Sequence, residues 1–113
     1  VALINTTNGI VLAKQTILLD SWTGRFLGVM GRTLRPGQSV GISACDWVHT
    51  FFVRCPLDLI YCDPAGSVLK VVFQLPSNRW GPRIPGSFVV WELLGGTING
   101  ESVAVGDSLV VKQ

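Results

Sequence analysis

Three side chains stand out as able to do chemistry: the single histidine, His49, and two carboxylates, Asp58 and Glu92, that fall within apolar runs. In an extended Leu57–Cys62, Asp58 shares a face with Ile60 and Cys62. Glu92 shares one with Phe88, Val90 and Leu94. A carboxylate on such a face costs several kcal/mol unless it is paired or hydrogen-bonded. Arg25, Arg32, Arg54 and Arg79 are available as partners, and a guanidinium fork suits either a buried bridge or a ligand clamp. Two readings follow. In one, Asp58 caps the bend after Pro56 by accepting backbone N–H groups, and Glu92 bridges to an arginine that ties a helix to a sheet. In the other, His49, Asp58, Glu92 and an arginine line a pocket for a polar ligand. The candidate ligand-binding residues are His49, Asp58, Glu92, Arg25, Arg32, Arg79 and Trp80.

Other chemistries have less behind them. A cation held by His49 with Asp58, Asp63 or Asp107 lacks the several His or Cys ligands of zinc sites and the dense oxygen spacing of calcium loops, so no metal or other cofactor is expected. Cys45, Cys55 and Cys62 are odd in number and form no Cys-x-x-Cys pair, so they read as buried free thiols. A thiol nucleophile would need His49 as its base, and no flanking motif supports one. Trp22, Trp47 and Trp80 could stack on sugars or peptide side chains. Trp80 is the one expected at the surface, on a 76–87 loop stiffened by Pro82 and Pro85.

These residues must be positioned by one small domain, residues 1–113. The six arginines and three lysines are scattered and the net charge is only +2, which argues against nucleic acid. The longest apolar runs fall far short of the ~20 residues of a membrane span. Asn8-Gly9 predicts a hairpin through a two-residue turn with positive φ at both positions, joining Ala2–Thr7 to Ile10–Leu19. Trp22, Phe26, Leu27, Val29 and Met30 fit one side of a helix capped by Asp20 or Ser21 and stopped at Gly31. Strands are expected at Ser39–Ala44, Trp47–Val53, Leu57–Cys62, Ser67–Leu75, Phe88–Leu94 and Leu109–Val111. In Ser67–Leu75, the residues Leu69, Val71, Phe73 and Leu75 should share the inner face. The expected fold is mainly β: a small sandwich or partly closed barrel of about eight strands with one short helix.

The ordered motifs Arg25-x-x-Gly28-Val29-Met30-Gly31-Arg32, His49-Thr50-Phe51, Pro56-Leu57-Asp58 with Asp63 and Gly66, Leu75-Pro76 with Arg79, Glu92-Leu93 with Gly96, and Gly106-Asp107 span nearly the whole chain. Together they resemble the prokaryotic family called domain of unknown function 192. That resemblance implies a compact, mainly β domain with no established activity. It also leaves both a cytoplasmic and an exported location open, because relatives often carry export signals. The chain departs from the pattern at Phe52-Val53, where relatives tend to have a small residue and then methionine, and at Cys55, where an aromatic is commoner.

Taken together, the sequence reads as a non-enzymatic binding or interaction module for a small polar ligand or a protein partner. The rival is a small enzyme or metal-binding protein using His49, Asp58 and Glu92. A third reading is a structural accessory of an exported or envelope assembly.

Overall fold

The computed structural model describes residues 1–20, 34–51 and 53–113. Within them the chain forms β1 (Ala2–Asn5), β2 (Ile10–Ala13), β3 (Gln15–Leu19), β4 (Gln38–Ser43), β5 (Leu57–Cys62), β6 (Val68–Leu75), β7 (Val89–Leu94) and β8 (Leu109–Lys112). Two open sheets result, one ordered β2-β1-β8 and the other β3-β4-β7-β5-β6. All neighbours are antiparallel except β3 and β4, which run parallel. The expected partly closed barrel with a helix is therefore corrected. Neither sheet closes, and the described residues are all-β without a helix. The helix expected over 20–31 falls almost entirely on residues 21–33, outside the described ones.

The first hairpin forms, but through a longer loop than Asn8-Gly9 predicts. Residues 6–9 all lie outside the ladder, the Gly9 N–H donates to the Asn5 carbonyl at 2.8 Å, and only Gly9 takes a positive φ, 79°. Asn8 serves instead as a side-chain anchor, donating to the Ser102 carbonyl at 3.0 Å and accepting from the Ile10 N–H at 3.0 Å. The run Ile10–Leu19 then splits at Lys14 into β2 and β3, which belong to different sheets.

The five-stranded sheet has an apolar layer on each face. On one face Ile60, Cys62, Trp91 and Leu93 meet Leu3, Leu12, Ala13 and Leu109 of the smaller sheet. Gly41 makes room there, because a Cβ at its position would lie 2.3 Å from the Trp91 ring. On the other face Val40, Ile42, Leu57, Leu59, Tyr61 and Val90 are covered by Leu34, Val48, Val53 and the flanks of two loops. These are residues 44–56, between β4 and β5, and residues 76–88, between β6 and β7.

Two expected details fail for identifiable reasons. The alternation in β6 is interrupted because Leu57 pairs with Leu75 but Leu59 pairs with Val72, so the strand carries one extra residue. Gln74 adopts φ 53° at this bulge, and Phe73 is left exposed rather than facing inward with Leu75. Among the described residues of Trp47–Val53 no strand forms either. Their one ladder contact is a single antiparallel bridge between His49 and Trp80.

Candidate functional site

Asp58 is fully buried, and backbone amides answer its charge. Its Oδ1 accepts the Gln74 N–H at 2.8 Å, and Oδ2 accepts the Gly96 N–H at 3.1 Å and, more weakly, the Ile98 N–H at 3.5 Å. The bulge in β6 and the turn after β7 aim these donors inward. Asp58 thus fastens the β6 bulge and the turn after β7 to the sheet, rather than the bend after Pro56.

Glu92 differs. It is only 3% exposed, and its Oε2 has no hydrogen-bond partner among the described residues. Burial alone raises its pKa to about 8. Register separates the two acids. Asp58 pairs with Leu93 while Leu59 pairs with Glu92, so Asp58 faces the smaller sheet and Glu92 the loop-covered side. A single cavity joining them is not formed.

His49 and Trp80 do come together. Their bridge is framed by Gly81 N–H to Val48 O at 2.9 Å and Thr50 N–H to Arg79 O at 2.8 Å, which brings both side chains to the same side. The His49 ring lies 5.2 Å from Trp80, edge-on, and 5.1 Å from Phe51. Trp80 stacks on Trp47 with centroids 4.1 Å apart and planes 24° apart, and Phe51 meets Trp80 edge-on at 5.7 Å. Trp47 is 43% exposed and Trp80 50%. The Arg83 guanidinium lies 5.6 Å from the Trp47 ring centroid and pairs with Asp46 at 3.4 Å, extending the stack outward.

The frame beneath this cluster is rigidly hydrogen-bonded. Buried Thr50 donates its hydroxyl to the Pro76 carbonyl at 2.6 Å, and the same oxygen accepts the Arg79 N–H at 2.9 Å. Trp47 Nε1–H donates to the Gly81 carbonyl at 2.8 Å, and Tyr61 O–H to the Pro82 carbonyl at 2.7 Å. Ala44 and Asn78, with φ of 53° and 60°, lead the chain into the two arms of the cluster. Left-handed backbone at non-glycine residues is sustained only where surrounding structure enforces it.

His49 accepts the Phe51 N–H at Nδ1, 3.1 Å away, which places the ring proton on Nε2. Partial burial lowers its pKa, so the ring is neutral at physiological pH. It meets aromatic rings, and neither acid lies on its side chain. Arg79 contributes its backbone to the frame and exposes its side chain, and Arg54 is also exposed. Arg25, Arg32 and Trp22 lie outside the described residues. None of the three cysteines is in a disulfide, and Cys62 is buried, its thiol pushed up to about 12 by burial. Among the described residues no group of three His, Cys, Asp or Glu side chains could hold a metal ion.

Sequence reasoning missed Trp47 as a surface residue, along with Thr50 and the Arg83–Asp46 pair. An available signal was the alternation Trp47, His49, Phe51, which in an extended segment projects three rings to one side.

No family profile and no curated protein matches this sequence, so the resemblance to domain of unknown function 192 stands on its motifs alone. Solved structures do share the fold. A protein of unknown function from Novosphingobium aromaticivorans DSM 12444 superposes with a TM-score of 0.79 at 18% identity, covering 97% of this chain and 82% of its own. A "putative transcription regulator" from Sinorhizobium meliloti 1021 superposes with a TM-score of 0.76 at 18% identity, covering 96% and 89%. At that identity the likeness concerns the fold. No helix among the described residues is long and apolar enough to cross a membrane.

Proposed function

We propose that the chain is a non-enzymatic binding module that recognises its ligand or partner through the Trp47–Trp80 stack, with His49, Phe51 and the Arg83–Asp46 pair around it. The observation that carries this reading is the exposure of both stacked rings, at 43% and 50%, on loops whose own hydrogen bonds are satisfied. Rigid aromatic side chains lose little conformational entropy when covered, which makes them effective anchors in binding sites. The acids give no support to the rival enzymatic reading, because Asp58 is consumed by backbone amides and Glu92 lies on the opposite face. The shared fold transfers no activity at 18% identity. Membership of domain of unknown function 192 is part of the same proposal and adds no chemistry to it.

The test is a thermal-shift and tryptophan-fluorescence screen of the whole chain against oligosaccharides, nucleotides, small acids and short peptides. A ligand at 100 times its Kd adds about 2.7 kcal/mol of stability, a readily measured shift. The expected hit shifts the wild type but neither Trp80→Ala nor Trp47→Ala, each checked for folding by circular dichroism. A ligand bound equally by the wild type and both variants would refute the reading.

A further inference from the structure

The groups around the aromatic face decide what it can recognise. The loops at 44–56 and 76–88 carry Arg54, Arg79 and Arg83 as exposed side chains against a single acid, Asp46, which is already paired with Arg83 at 3.4 Å. By formal charge these two loops hold the chain's whole excess of +2, and neither contains a lysine. Arg83 sits on the Trp47 ring, 5.6 Å from its centroid, and spends only its Nε–H on Asp46. Its terminal N–H groups have no partner among the described residues. Two ring donors are unspent as well. The Nε2–H of His49 and the Nε1–H of exposed Trp80 find no acceptor among the described residues, whereas Trp47 Nε1–H is held by the Gly81 carbonyl. The ribbon beneath the rings adds backbone groups. Across their bridge His49 and Trp80 form a non-hydrogen-bonded pair, so their own N–H and C=O groups turn outward, and no described residue takes them.

We propose that the partner of this face is an acidic segment of another protein, which lays an apolar side chain on the Trp47–Trp80 stack and a carboxylate on Arg83. The inference rests on the binding role proposed for the face and names its partner. Charge complementarity selects an anion, and the terminal nitrogens of a guanidinium present the parallel N–H pair that a carboxylate accepts. Exposed tryptophan and arginine without lysine is the composition of the residues that carry binding energy between proteins. The outward N–H and C=O groups of the ribbon suit a peptide backbone, which answers both. A DNA backbone offers acceptors alone, and three arginines spread over two loops fall short of the clustered cations that neutralise phosphates. A neutral sugar would leave the guanidinium charge unanswered.

Fluorescence anisotropy with the whole chain tests this. The probes are labelled peptides of about nine residues with Phe, Tyr, Leu or Pro at the centre of a run of glutamates, their counterparts with Gln for every Glu, and a single strand of deoxythymidine of the same length. At low salt at least one glutamate peptide should bind with a Kd below about 1 mM, and its Gln counterpart should bind about tenfold more weakly. Arg83→Gln changes an exposed side chain and should weaken the glutamate peptide about tenfold, Trp80→Ala at least as much, and high salt should weaken it in the wild type. Should a variant fail to fold by circular dichroism, the comparison of Glu with Gln peptides on the wild type decides. No binding by any glutamate peptide, equal binding of the Gln counterparts, or tighter binding of the deoxythymidine strand overturns the proposal. Equal binding of Glu and Gln peptides that Trp80→Ala abolishes removes the acidic partner and leaves the aromatic-face reading standing. Glutamate-peptide binding untouched in both Trp80→Ala and Trp47→Ala refutes the two together.

Discussion

Replacing Asp58 tests the claim that a buried carboxylate here works as a backbone fastener. Asp58→Ala strands the Gln74 and Gly96 amides, which donate at 2.8 and 3.1 Å, and loosens the longer contact from Ile98. A hydrogen bond to a charged acceptor contributes about 1.5–3 kcal/mol, so losing the two short ones should cost about 3–6 kcal/mol. That is a large share of the ~5–15 kcal/mol that holds a domain folded. Asp58→Asn keeps one acceptor but turns an amide donor toward the second N–H, so it should recover only part of the loss. Urea unfolding with an unchanged slope measures both, and the Gln74 and Gly96 amides should lose protection first. If Asp58→Ala costs less than about 1 kcal/mol with those two amides still protected, the fastener reasoning is wrong.

Stability should depend on pH through Glu92. Its folded pKa is raised to about 8, so the unfolded chain releases a proton that the folded one keeps, and stability falls as pH climbs from about 4.5 to 8 before levelling. At about 1.4 kcal/mol per unit the fall is on the order of 5 kcal/mol, and chemical denaturation of Glu92→Gln should show it removed. His49 acts oppositely because its folded pKa is lowered, taking away stability as pH drops below 6.5. Thr50→Val leaves the Arg79 N–H without its hydroxyl acceptor and should cost about 1–3 kcal/mol in urea unfolding while increasing the mobility of Trp80 in fluorescence anisotropy. Gly41→Ala drives a methyl into the Trp91 ring, and overpacking of about 1–3 kcal/mol should appear as a lower Tm.

Much of the sheet was legible because its strands carry β-branched and apolar runs bounded by strong turn residues. The Asp63–Gly66 turn is an instance. Asp63 Oδ1 accepts the Ala65 and Ser67 N–H groups at 3.0 and 2.9 Å, and Gly66 supplies the φ of 90° that the reversal needs. The Asn5–Asp107 contact was not legible, since it joins residues at opposite ends of the sequence, with Asn5 donating to Asp107 at 2.8 Å. The relation between Asp58 and Glu92 is the sharper lesson. Each was correctly marked as an acid on an apolar face, yet which face depends on the register between β5 and β7. The β6 bulge hid Asp58's true partner in the same way, because an inserted residue leaves no mark in an alternating pattern. Trp47 misled by its neighbours: an aromatic, β-branched segment reads as strand even where its described residues form a single bridge.

The order of the large sheet has a consequence for how the chain is made. β7 lies between β4 and β5, yet it follows both in sequence. As the polypeptide leaves the ribosome, β5 and β6 can pair as soon as they appear, but the edges that β4 and β5 turn toward β7 stay open until Leu94 has emerged. The smaller sheet can begin as the β1–β2 hairpin but gains its third strand only with β8. The large sheet can therefore be joined into one only after β7 has been made, and until then the open edges of β4 and β5 are exposed to neighbouring chains.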